Sequence, residues 1–207
     1  MLTTSTSTNN QGTLALLRGL VPNRAVIERE TFQIAELQAA RLRRHLCIEG
    51  ATFPGEALDL PRIRVDLDAD LPSSGMAFWS GSSWVIVLNP TESRTRQRFT
   101  LLHEFKHIVD HTTKDRLYGN ETSGCGPLAE RAADYFAACV LMPKMYVKRH
   151  WGRGPRSVAS MARLFDVSPA AMRYRLDQLG LIDTPTRCRW DRSTYHRQAP
   201  RKLEFAA

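Results

Sequence analysis

The sequence predicts an α+β fold, a small sheet flanked by amphipathic helices and followed by a helical pair. Three observations carry this expectation. Three short β-rich runs lie close together between turn residues, apolar residues at helical intervals precede and follow them, and a helix–turn–helix pattern appears after Pro143. With 207 residues, 43% hydrophobic and 24% charged, the chain is long enough for one main core and a small appendage.

Taken in order, the polar tract TTSTSTNNQG has nothing to bury, so residues 1–12 read as a disordered tail. Ile27, Phe32, Ile34, Ala35, Ala39, Leu42 and Leu46 recur among charges at helical spacing and predict an amphipathic helix. After the Pro- and Gly-bearing loop ATFPGEALDLP come RIRVDL, GMAFW and SWVIVLN, the three expected strands. Asn89-Pro90 ends the last of them, Thr91, Glu92 and Ser93 offer capping groups, and a helix is expected from about Arg94 through His111. A second helical segment, LAERAADYFAACVLMP, follows at 128–143. Residues 13–143 thus form one expected unit.

In the stretch 144–183, Val158, Met161, Ala162 and Phe165 make one apolar face. Ser168 suits an N-cap, Pro169 the first helical position, and Gly180 a helix end. Met172, Leu176 and Leu179 form the inner face of the second helix. Arg173, Tyr174 and Arg175 fall between these anchors, so part of that stretch can face outward toward a partner or DNA. Residues 184–207 read as a basic flexible tail. Charge is uneven: residues 144–207 hold 14 of the 29 Lys and Arg but only 5 of the 21 Asp and Glu. Such a block reads either as a solvated surface or as a contact for an anionic partner, a protein first and DNA second to it.

Cys47, Cys125, Cys139 and Cys188 form no C-x-x-C pair and no disulfide framework, which fits a reducing cytoplasmic setting. No basic leader and no run of eighteen apolar residues is seen, so neither a secretion signal nor a membrane span is expected.

The chemistry concentrates in RFTLLHEFKHIVDH, residues 98–111. His103 and His107 are four apart, on one helix face about 6 Å apart along the axis, as two ligands of one Zn²⁺ require. Glu104 lies on the flank of that face, poorly placed as a ligand but within reach of a water on the metal. This is the division of labour of H-E-x-x-H, where the metal lowers the pKa of water and the glutamate takes its proton. Phe99, Leu102, Phe105 and Val109 fall opposite and can anchor the helix. A third ligand is needed. Glu130, on the second helix, can be returned to the metal if that helix runs antiparallel, and Asp134 one turn on can accept the free N–H of a ligating histidine. His111 continues the histidine series and is a weaker candidate. Tyr118, Tyr135, Tyr146, His150 and Tyr174 could each donate to an oxyanion.

RFTLLHEFKH followed by ERAADYFAACVLMP closely resembles the ImmA/IrrE family of zinc metallopeptidases. The resemblance covers most of residues 25–182. It implies a zincin-like core in the gluzincin arrangement, with His103, His107 and Glu130 as zinc ligands, Glu104 as general base and Asp134 in support. It further implies a helix-turn-helix-like C-terminal subdomain and a helix-turn-helix repressor as substrate, whose cleavage relieves repression. Lys106 departs from the pattern, since many members carry a small residue there, commonly glycine; this bears on local helix packing and leaves ligation intact. The competing expectation is a non-catalytic regulator that binds DNA or a partner, or the toxin of a toxin–antitoxin pair.

Overall fold

In a computed structural model, residues 12–58, 60–119 and 126–182 are described. The expected tails at 1–12 and 184–207 lie outside them, except that Gly12 opens the first helix. The fold is α+β and mostly helical, with one three-stranded sheet. In chain order the elements are α1 (Gly12–Arg18), α2 (Glu28–His45), β1 (Ile63–Leu67), β2 (Gly75–Trp79), β3 (Trp84–Leu88), α3 (Arg94–Asp110), α4 (Lys114–Tyr118), α5 (Pro127–Leu141), α6 (Lys144–Arg153), α7 (Val158–Phe165) and α8 (Pro169–Gln178). Among the described residues, no helix is long and apolar enough to cross a membrane.

The sheet order is β1-β3-β2, with β1 parallel to β3 (Ile63 opposite Trp84) and β2 antiparallel to it (Gly75 opposite Leu88). Gly81, at φ +96°, lets the chain reverse tightly between β2 and β3, and the Ser80 amide donates to the Ser83 carbonyl at 2.9 Å. One face of the sheet carries Ile86 and Leu88 into the core against α3. Gly75 is needed there: a Cβ would come within 2.4 Å of the Thr100 methyl group, so any side chain would push β2 off the helix.

The long helices obey their apolar periodicity. Ala35, Ala39 and Leu42 of α2, Leu102, Phe105 and Val109 of α3, and Phe136, Ala137 and Val140 of α5 are all buried in one cluster. Met161, Phe165, Met172 and Leu176 of α7 and α8 belong to the same cluster. Helix starts follow the expected caps. Ser93 Oγ accepts from the Arg96 amide at 3.3 Å, and Ser168 Oγ accepts from the Ala171 amide at 3.1 Å.

Candidate metal centre

Helices α3 and α5 carry the candidate site, and three arginines brace their C-terminal ends, where helix carbonyls have no intrahelical partner. On α3, Arg18 of α1 donates to the carbonyls of Ile108 at 2.8 Å and Val109 at 3.0 Å. At the end of α5, Arg43 of α2 donates to the Val140 carbonyl at 2.9 Å, and Arg175 of α8 to the Met142 carbonyl at 3.2 Å. Each guanidinium also places positive charge where the helix dipole is negative. These contacts fix the two helices against α1, α2 and α8.

The helices run antiparallel, so that Glu130 meets His107 and His103 while Asp134, a turn later on α5, meets His103. His103 Nε2 and His107 Nε2 are 3.1 Å apart; Glu130 Oε2 is 3.2 Å from the first and Oε1 is 3.3 Å from the second. Ligand atoms of the three residues all lie within 4.8 Å of one another. In a tetrahedral site with metal–ligand bonds of about 2.0–2.1 Å, ligands stand roughly 3.3 Å apart. The triad therefore has the spacing of one face of such a site, and three groups rich in lone pairs so close together are mutually repulsive unless a proton or cation lies between them.

Asp134 Oδ1 is 2.9 Å from His103 Nδ1. A carboxylate can only accept, so the proton sits on Nδ1 and the Nε2 lone pair of the neutral ring is turned to the other two ligands. Both rings are largely buried, with 15% and 20% of the side-chain surface exposed, whereas Glu130 is 44% exposed and opens the cluster to solvent.

Electrostatics distinguish the members. Burial pushes the Glu104 carboxyl above the usual carboxylate range, with the Glu130 charge adding to this and His103 opposing it. Burial alone would lower the pKa of His103, but the hydrogen bond and charge of Asp134, with Glu104 and Glu130, outweigh it and the ring is shifted upward. His107 is shifted downward, first by burial and then by His103. The two imidazoles are thus shifted in opposite directions, His103 upward because the carboxylates around it outweigh burial and His107 downward because burial prevails.

Other sequence candidates lie elsewhere. His111 is outside the cluster and its ring packs edge-on against Trp84, centroids 4.9 Å apart. The Tyr118 hydroxyl donates to Asp110, and that of Tyr135 donates to Glu36 at 3.2 Å. Tyr146 faces the guanidinium groups of Arg43 and Arg149, and the His150 ring meets Phe165. Tyr174 is 63% exposed. Cys139 is a core residue whose thiol burial pushes up to about 11. Arg173 and Tyr174 face outward, but Arg175 corrects the outward reading of its stretch. It is only 1% exposed, and besides Met142 it donates to Cys139 Sγ at 3.3 Å, so it braces α5 and offers nothing to a partner.

Lys106 is fully buried beneath the site. Its ammonium donates to Gln38 Oε1 at 2.7 Å and to the Asp110 oxygens at 2.6 and 2.5 Å. Gln38 passes the chain on to the Leu17 carbonyl at 3.1 Å. The lysine is accommodated by an anion one turn away on its own helix. A Lys four residues before an Asp inside an apolar helix is the signal that would have revealed the pair.

Two histidines one turn apart and a carboxylate delivered from a facing antiparallel helix define a candidate metal centre, with a glutamate beside the first histidine. The family model described as the IrrE N-terminal-like domain, Peptidase M78, matches residues 69–177, more than half of the chain, and the chain belongs to this family. No curated protein matches it. The fold is similar to that of a Mycobacterium tuberculosis transcriptional regulator, with a TM-score of 0.56 and 14% identity, over 84% of this chain and 53% of that one. The chain spans about half the length of that regulator, and at this identity the likeness is one of fold.

Proposed function

We propose that the chain is a zinc-dependent endopeptidase with a zincin-like core and a helix-turn-helix-like subdomain at 144–183. In this reading it acts in the cytoplasm on a helix-turn-helix transcriptional repressor and relieves repression by cutting it. The observation that carries the reading is the triad His103, His107 and Glu130 at tetrahedral ligand spacing with Glu104 beside it. Membership in a peptidase family supports it.

The donor set, two imidazole nitrogens and one carboxylate, suits zinc and leaves a fourth position for water or substrate. An ion held there supplies Lewis acidity and lowers the pKa of water towards about 7. Glu104 takes the proton that the attacking water loses and returns it to the departing amine nitrogen. Asp134 keeps the His103 ring in the tautomer that presents Nε2. Glu130, anchored on α5, completes the ligand set without occupying the flank where Glu104 works.

Glu104→Gln tests the reading, because an amide keeps the size of the side chain but cannot accept the proton. The variant is expected to fold, keep its zinc and bind the repressor, while cleavage falls by at least about 100-fold. The check is mass spectrometry of a helix-turn-helix repressor, sought first among the products of neighbouring genes, looking for one defined cut. If wild type and variant relieve repression equally and neither cuts, the protein is a binding regulator.

A further inference from the structure

A cavity of about 750 Å³ opens beside the candidate metal centre, between α3, α5 and α8, with Phe32 of α2 closing one side. It adjoins the centre. Asp134, which holds His103, also lines the cavity, and Phe99 lines it one turn before His103 on α3. Its remaining apolar wall includes Ala138, Leu141 and Met142 of α5 and its end, and Ala170 and Ala171 of α8. Alanines where larger side chains would fit leave the room, and Met142 can adapt its shape to an occupant. The volume lies in the range of ligand sites.

The charges at its edge already have partners. Arg131 is paired with Glu28 at 2.6 Å, Glu92 accepts from Ser74 Oγ at 3.0 Å, Arg96 donates to the same hydroxyl at 3.3 Å, and Asp134 faces His103. Nothing in the cavity calls for a charged group. What remains is uncharged, the polar Ser93, Thr95, Tyr135, Ser168, Tyr174 and Gln178 and the apolar wall, and an apolar occupant would cover that wall favourably.

Helix α8 is turned toward this cavity. A DNA-reading helix uses its N-terminal residues on base edges, yet here Ser168, Ala170 and Ala171, the N-terminal turn of α8, line the cavity. Arg98 of α3 pairs with Asp166 in the turn between α7 and α8 and holds the pair against the site helix.

We infer that this cavity is the subsite that receives a bulky apolar side chain of the polypeptide substrate beside the bond to be cut, with α8 as its specificity-determining wall. The inference rests on the endopeptidase reading. It gives the helical pair a role in choosing substrate through shape.

The experiment fills the cavity and reads both binding and cleavage preference. Ala171→Trp narrows it from within, and Ala170→Trp does so from an exposed position where folding is not at stake. Residues flanking the cut in the repressor are replaced one at a time by Leu, Phe, Ala and Gly. Wild type should prefer Leu or Phe over Gly at one flanking position by about tenfold or more, and both tryptophan variants should lose that preference while keeping their zinc. Independently of turnover, N-acetyl-phenylalaninamide should shift amide resonances of Phe99 and Ala138 in zinc-loaded Glu104→Gln protein, and Ala170→Trp should suppress the shifts. Cleavage with an unchanged preference in both variants, or no resonance shift at Phe99 and Ala138, overturns the subsite and leaves the peptidase standing. A wild-type protein that cuts no repressor overturns the peptidase reading, and the subsite falls with it.

Discussion

Two polar clusters share one face of helix α3, His103 and His107 toward one edge of it and Lys106 and Asp110 toward the other, and they obey opposite rules. On one side His103 and His107 converge with Glu130, three groups whose lone pairs point at a common centre and whose edge is open to solvent. On the other, Lys106 and Asp110 are buried and fully answered: the ammonium reaches Gln38 and Asp110, and Asp110 also accepts from Tyr118. Burial depresses the pKa of Lys106 and Asp110 opposes this, while Tyr118 is pushed upward by burial and by the Asp110 charge, so it stays a neutral donor. The contrast separates a site from a strut. Converging acceptors with no internal donor for each call for an outside cation, whereas a cluster whose donors and acceptors match holds helices together and binds nothing.

The sharpest way to break this comparison is to remove one half of the buried pair. Lys106→Ala strands the Asp110 carboxylate in the core and is expected to cost about 3–5 kcal/mol in urea unfolding, while the folded fraction keeps its zinc. Replacing both partners, Lys106→Met with Asp110→Leu, should lie closer to wild type than the lysine variant does, because no uncompensated charge remains. A single variant that unfolds normally but loses zinc would mean that the strut is part of the site.

Asp134→Ala should act more gently and only on the open cluster. Loss of the carboxylate that orients His103 is expected to weaken zinc binding by about 10–100-fold in a competition titration, with little change in stability when zinc is chelated. Glu104→Gln lies at the small end. It should change neither zinc affinity nor unfolding free energy by more than about 0.5 kcal/mol, its effect being confined to turnover.

Much of this was legible in the sequence. The three strands, α2, α3, α5 and the α7–α8 pair fall within a residue or two of their expected bounds, because each combines strong periodicity with a clear stop or cap such as Asn89-Pro90, Ser93 or Ser168. The convergence of His103 and His107 was equally legible, since i, i+4 on a helix dictates a shared face. Three things were not. The parallel pairing of β1 with β3 depends on register between strands distant in sequence. The short helices α1 and α4 lack the length over which periodicity becomes distinctive. The bracing roles of Arg18, Arg43 and Arg175 leave no local signal, because what fixes each is a helix end in another part of the chain. Arg175 shows the cost most clearly, since it was grouped with outward-facing Arg173 and Tyr174 and instead lies in the core.

The central claim is that the open cluster holds the metal and the buried one does not, and elemental analysis of purified protein tests it directly. Wild type and Lys106→Ala should each carry about one zinc per folded chain after dialysis, while His103→Ala, His107→Ala and Glu130→Ala should each carry almost none, since two protein ligands do not hold zinc tightly. Full zinc occupancy in all three ligand variants would contradict the account.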